Sequence, residues 1–440
     1  HALQLELENL PAKSRQQLVA KIRPNFPNST IEEVVELCGR HLRQIELASP
    51  PVGDYVTSRL HVDDNYNTWQ RIIGLYYITL FPVLGGVHDW HDETMAIFNT
   101  PVSELPAEGS LKRYSLGVSG QALTQRQVKV ILKHSRDNPL RIPLPNSTQR
   151  RQLIQHFAPV WEIDVTSSDD QIGVPFWPSF DADTPGIDIQ HPAIFTRTSH
   201  TVFNGEVLLQ LNYVIWFPSR PCQSTFDILC GHIDGIIWRV TLSNDGEPLV
   251  FDSIHSCGCY HQFFPTPALA MRHNDDWLQE PVLIPKSLPR METDQHVVIR
   301  VADISHYIDA VTLEPRESNL APDNTLTPAR PYDELRSLPA SEHQRRSMFN
   351  TSGLVPGTER AERFILWPMG VPSPGAMRQW GTHATAFVGR RHFDEPCLLE
   401  EIFTVNAASD LKAAEPALGE NIYNDICNKE ASISEQADDP

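Results

Sequence analysis

The sequence predicts an α+β protein, with a helical N-terminal region followed by a mainly antiparallel β lobe folded as a sandwich or barrel-like body. Three observations lead there. Apolar residues recur at helical spacing through the first 157 residues, the period shifts to that of strands from Ala158, and two hairpin signals fall inside the strand-patterned stretch.

In the N-terminal region, Ser29 or Thr30 followed by Glu32 or Glu33 has the form of a capping box. Val34, Val35, Leu37, Leu42 and Ile45 then follow at helical spacing. Residues 121–134 and 148–157 are two further helices. The uncharged run 72–87 is expected to be a buried core helix. Pro82, Gly85 and Gly86 interrupt it, and it falls short of the ~20 apolar residues a membrane span needs. It is the one stretch that could touch a membrane, and membrane contact is not the expected role.

The β lobe, residues 158–315, opens on Asn204-Gly205, a turn dipeptide that leads into the β-rich run 207–217. Residues 235–242 and 248–255 form a second hairpin through 243–247, and 296–301 with 304–311 supply two more strands. Residues 316–406 are expected as a mixed C-terminal extension packed on this lobe, polar and loop-like to about 350. Residues 407–440 read as an acidic, mobile tail. With 440 residues the chain exceeds the usual size of one core, so two packed lobes are expected.

Composition excludes some functions. A formal net charge of −19 opposes binding to a phosphate backbone, so nucleic acid is not an expected partner. Hydrophobic residues at 40% and charged residues at 21% are those of a folded chain. Seven cysteines are too few for a disulfide scaffold of this length, although Cys222 and Cys230 stand close enough in sequence to bridge in an oxidising compartment. With His1 at the start, a processed N-terminus and a bacterial envelope location, periplasmic or secreted, are the expectation. Asn28, Asn146 and Asn350 begin Asn-x-Ser/Thr triplets, which chance also produces. Dinucleotide-binding, P-loop, Gly-x-Ser-x-Gly and haem-attachment motifs are all missing from the sequence.

The chemistry concentrates in His255-Ser-Cys-Gly-Cys-Tyr-His261, where two imidazoles and two thiols share one short segment. In an unbroken strand His255 and His261 would stand roughly 20 Å apart, so a shared ion requires Gly258 to bend the chain. The spacing matches no standard zinc motif. The expected site is nonetheless a transition-metal centre, zinc first, held by His255, His261 and His306, with His232 as second choice for the third ligand. Asp234 or Asp252 then serves as general base in metal-assisted hydrolysis of an unidentified substrate. Cys257 or Cys259 paired with a neighbouring histidine gives a thiol-nucleophile alternative. Arg378, Arg390 and Arg391, with His383 and His392, are expected to hold an anionic substrate. His88 and His91, three apart, are read as a solvated helix end. The non-catalytic alternative is an envelope protein that binds a ligand or partner in a groove of Trp216, Phe217, Trp238, Phe263 and Phe264, with the His/Cys segment as packing or a redox-sensitive staple.

Overall fold

The computed structural model describes residues 12–27, 29–47, 64–117, 122–138, 141–273, 276, 278–317, 324–341, 344–406 and 427. His1 and almost all of the acidic tail lie outside the described residues. The chain divides into two compact units, residues 1–63 with 137–140, and residues 64–136 with 141–440. In the first unit, α1 (Ala12–Ile22) precedes α2 (Ile31–Leu47). Thr30 and Glu33 form the anticipated capping box, the Glu33 N–H donating to Thr30 Oγ1 at 3.2 Å and the Thr30 N–H to Glu33 Oε2 at 2.9 Å.

The second unit begins with α3 (Thr68–Ile73) and α4 (Tyr76–Asn99). Here the expected buried helix is corrected. Ile72, Ile73, Leu75, Tyr77, Ile78 and Phe81 are each more than half exposed, while Tyr76 and Leu80 alone of the run's large side chains are buried, against Met369 and Val388. An apolar run specifies what prefers to leave water, but which stripe is covered depends on what packs beside it. Helix α4 also runs through His88 and His91 rather than ending there.

Next come β1 (Ser110–Leu116), a strand inside the region expected to be helical, then α5 (Gln125–Ser135) and α6 (Ser147–Phe157). Thr124 and Asn146 cap these two helices, each with a glutamine three residues on completing the box. The chain then alternates through β2 (Val160–Val165), the small ribbon of β3 (Val174–Phe176) and β4 (Gly186–Asp188), and the long hairpin of β5 (Ile194–Phe203) and β6 (Glu206–Arg220). Asn204 at φ 52° and Gly205 at φ 75° make the tight turn that their dipeptide signals. After these follow β7 (Gly231–Leu242), β8 (Pro248–His255), β9 (Gln262–Pro265), β10 (Leu269–Met271), β11 (Gln295–Val301) and β12 (Ile308–Pro315). Short elements close the unit: β13 (Asn324–Thr327), β14 (Ala329–Pro331), β15 (Leu338–Pro339), β16 (Arg345–Arg346), α7 (Leu398–Ile402) and β17 (Phe403–Val405).

Two sheets dominate, in the orders β14-β5-β6-β7-β8-β9 and β12-β11-β2-β1-β13, mostly antiparallel and neither closed into a barrel. They face each other across one core, in which Leu211, Tyr213, Ile215, Trp238 and Val240 of the first meet Trp161, Ile163, Ile299 and Val311 of the second. The outer face of the six-stranded sheet is covered in turn by the C-terminal segment, through Phe195, Trp216, Ile237, Met348, Met377 and Phe393. That sheet is therefore a middle layer, which is why its strands read as near-continuous apolar runs instead of alternating ones. The strand expected from residue 304 starts instead at Ile308, and residues 302–307 turn inward with Ile304 at φ 54° and His306 at φ 55°.

The placement of α4 is checked by two truncations read through urea unfolding. Leu80→Ala should cost about 2–5 kcal/mol, whereas Ile78→Ala should change stability by no more than about 0.5 kcal/mol. Equal losses at the two positions would mean that the outer stripe is enclosed.

Candidate functional site

At the start of β7 the backbone is forced into the left-handed region at Ile233, φ 53°, a conformation that a β-branched side chain adopts only under constraint. The next residue, Asp234, is completely enclosed between the sheets. Its Oδ2 accepts from His306 Nδ1 at 3.0 Å, and its Oδ1 lies 3.2 Å from Arg360 Nη2 and 3.5 Å from His255 Nδ1. Burial alone would raise this carboxyl, but the Arg360 charge and the two imidazoles outweigh it and hold the group well below the usual carboxylate range. On the far side of His306, Nε2 lies 3.5 Å from Asp170 Oδ1, and the ring stacks on Phe217 with centroids 3.9 Å apart. Burial disfavours a charged His306, yet the two carboxylates reverse that and raise its pKa. Asp170 is held low by His306 and by N–H donors that include Ile304.

Above this floor sit Tyr260 and Tyr307, half-buried, with ring centroids 4.7 Å apart, and the His255 ring contacts both, at 4.9 and 5.7 Å. Arg220 Nη2 donates to the Tyr307 hydroxyl at 3.4 Å, and Trp90 of α4 packs on Tyr260 with centroids 5.3 Å apart. Burial raises the pKa of both phenols, so they remain donors at neutral pH. Burial lowers the pKa of His255 more than Asp234 raises it, which leaves the ring neutral and able to accept a proton. Tyr260 also has a positive φ, 63°. Four of the eight non-glycine residues with positive φ among the described residues, Ile233, Tyr260, Ile304 and His306, thus belong to or adjoin this one cluster, and backbone strain of this kind persists where surrounding structure enforces it.

His261 is not part of that cluster. Along β8, Phe251 and His255 point into the core between the sheets, while Asp252 and Ile254 point to the opposite face. On that opposite face Asp252 takes a two-pronged ion pair from Arg239 and accepts from His261 Nε2 at 3.0 Å. Gly258 does bend the chain, at φ 97°, but the bend leaves the two histidines on separate carboxylates. The anticipated convergence of His255, His261 and His306 is therefore corrected to a pair, His255 and His306, sharing Asp234. Among the described residues, no group of three or more His, Cys, Asp or Glu is arranged to hold a metal ion. His232 bonds the Pro185 carbonyl at 2.6 Å.

The expected anion-binding group also divides. Arg378 spends its guanidinium on the carbonyls of Cys257, Pro372 and Ser373, and His383 is wholly buried, so both serve the interior. Arg390 and Arg391 line a cavity of about 330 Å³ with His88, Arg272, Glu280 and Glu401, where Arg390 pairs with Asp64 and Arg391 donates to the Glu280 carbonyl. His392 packs on Tyr66 with centroids 5.2 Å apart. The five aromatic residues expected to line a groove, Trp216, Phe217, Trp238, Phe263 and Phe264, are all fully buried in the core. Sequence reading missed Asp170, Arg220, Tyr260, Tyr307 and Arg360. Tyr260 and Tyr307 adjoin residues it selected, whereas Arg360 carries no local signal.

Cys222 is bridged to Cys230 and Cys397 to Cys427, and Cys38, Cys257 and Cys259 are free. No protein-family model matches the chain, and no curated protein or solved structure is detectably similar to it.

Two outcomes follow for stability. Asp252→Asn should cost about 3–5 kcal/mol, because it leaves the buried Arg239 charge unmatched. Burial pushes His261 down to about 4, and burial with the Arg378 charge pushes His383 to about 3. The unfolded chain protonates these rings below about pH 6.5 and the folded chain does not. Each should then weaken folding by on the order of 1.4 kcal/mol per pH unit as pH falls from 6.5 to 4. His306 has the opposite sign, but its contribution is complete below pH 6.5. Urea midpoints that stay level from pH 6.5 to 4.5 would contradict the buried, neutral histidines.

Proposed function

We propose that this chain is a hydrolytic enzyme of the imidazole–carboxylate type, acting on an anionic ester. His255 is the general base and Asp234 the group that orients it. The observation that carries this reading is the buried chain Asp170, His306, Asp234, His255, built on strained backbone, with the His255 ring against the half-buried Tyr260 and Tyr307. With Nδ1 turned to Asp234, the other nitrogen of His255 is left to take a proton from water, and the carboxylate steadies the imidazolium that forms. The Tyr260 and Tyr307 hydroxyls supply donors for the negative charge that develops on the substrate oxygen, and the Arg220 guanidinium beside Tyr307 holds the anionic group that the substrate already carries. Zinc hydrolysis would need His261 beside His255 and His306, and His261 is committed to Asp252 on the other face of the sheet.

The test is a panel of chromogenic carboxylic, phosphate and sulfate esters at pH 7, with and without a chelator. Turnover of an anionic ester should survive chelation and fall by at least about 100-fold in His255→Gln. Arg220→Gln should chiefly raise KM. Activity that persists in His255→Gln, or a panel with no substrate, would refute the hydrolytic reading, and activity abolished by the chelator would restore the metal one.

A further inference from the structure

Cys257 and Cys259 are separated by Gly258 alone, and the loop that carries them is fixed on every side. The Gly258 N–H donates to the His255 carbonyl at 2.8 Å and the His255 N–H to the Cys259 carbonyl at 3.0 Å, closing a tight turn. The Ser256 N–H donates to the Gly235 carbonyl at 2.7 Å, and Arg378 Nε holds the Cys257 carbonyl at 3.0 Å. At Gly258, φ is 97°, and a Cβ would stand 2.4 Å from the Ala384 carbonyl oxygen, so only glycine fits there. The turn brings the sulfurs together instead of leaving them in line along a strand. The Cys259 N–H donates to Cys257 Sγ at 3.4 Å, which folds the backbone of one cysteine onto the sulfur of the other. Cys257 is buried and Cys259 half-buried, so Cys259 is the more exposed residue of the pair. The other two close cysteine pairs of the second unit are disulfides, so this pair is the one left with thiols to give.

We propose that Cys257 and Cys259 are a redox-active dithiol that reduces small-molecule disulfides and closes to a Cys257–Cys259 bridge. This does not depend on the hydrolytic reading. Cys259, the more exposed of the two, gives its proton to the neighbouring Cys257 thiolate and attacks one sulfur of a disulfide R–S–S–R. A Cys259–S–S–R bond forms, and RS⁻ leaves. Cys257 then gives its proton to that thiolate and attacks Cys259 Sγ, which forms the intramolecular bridge and expels the second RS⁻. Two electrons and two protons pass from the cysteines, with solvent supplying any proton already lost at the start, and two RSH are released. The Arg360 charge favours the Cys257 thiolate, which takes up the Cys259 proton in the first step and is the attacking form in the second, while Cys257 and burial hold the Cys259 thiol up until it gives that proton away. A bridge needs Cα atoms about 4.4–6.8 Å apart, which residues two apart reach where the chain turns between them.

The test is intact-mass and peptide analysis of the folded wild-type protein after equilibration with oxidised glutathione, with free thiols trapped by alkylation after unfolding. Of the three free cysteines, two should be lost together, with a mass decrease of two hydrogens and a peptide linking Cys257 to Cys259. Cys257→Ser should stop at a glutathione adduct on Cys259, whereas Cys259→Ser should leave Cys257 unmodified. The wild-type measurement decides even if a variant fails to fold. Both thiols still alkylated after excess oxidised glutathione, or stable separate adducts on the two cysteines, would overturn the proposal.

Discussion

A carboxylate with no access to water has to be neutralised from within the fold, and Asp234 sets that demand at the centre of this molecule. The groups that meet it come from distant parts of the chain. Arg360 comes from the C-terminal segment, His306 from the turn between β11 and β12, and His255 from the end of β8. His306 needs a second anion to balance it on its other edge, and Asp170 provides one from the segment after β2. The positive φ angles at Ile233, Ile304 and His306 are the backbone adjustments that aim these side chains inward. Removing any one charge leaves another buried without compensation, so these remote segments stand or fall together.

The layering makes such a site feasible. Because the six-stranded sheet is covered on both faces, polar groups at its strand ends are kept from water and interact strongly. The same sheet keeps two buried acid–base systems apart. Asp252, Arg239 and His261 are held on one face, and Asp234, His255 and His306 on the other. Arg239 meets Asp252 with two nitrogens and lies over the Phe393 ring at 3.7 Å, a saturated arrangement that ties β7, β8 and the C-terminal segment together. In the other set, none of the three Arg360 side-chain nitrogens finds a hydrogen-bond partner among the described residues, and the Asp234 carboxylate is its ion-pair partner. The first set reads as a brace, and the second keeps capacity for chemistry.

Local rules made much of the fold legible. Asn204-Gly205 specifies its hairpin through backbone torsion, and the cap at Thr30 follows from side chains three residues apart. What failed was whatever needed a partner. The apolar run predicts a buried helix, whereas α4 covers its neighbours with one stripe only. In the candidate site, Asp234, His255 and His306 stood out by residue type, but their grouping depends on side-chain alternation along β8, and that same alternation sends Asp252, and with it His261, to the other face. Arg360 was not readable at all. A lone arginine about a hundred residues beyond β8 has nothing in its neighbours to show that it balances Asp234.

Arg360 also links the two chemistries of the site. It faces the Asp234 carboxylate and the Cys257 sulfur, and each of these is stabilised as an anion by the same guanidinium. The basicity of His255 depends on how strongly nearby anions offset the cost of burying its imidazolium. The proposed Cys257–Cys259 bridge would carry no charge, so closing it would remove one anion from this group of buried charges and leave His255 the poorer base. The sulfur pair and the imidazole are thus coupled through one group of buried charges, without any movement of the strands that hold them.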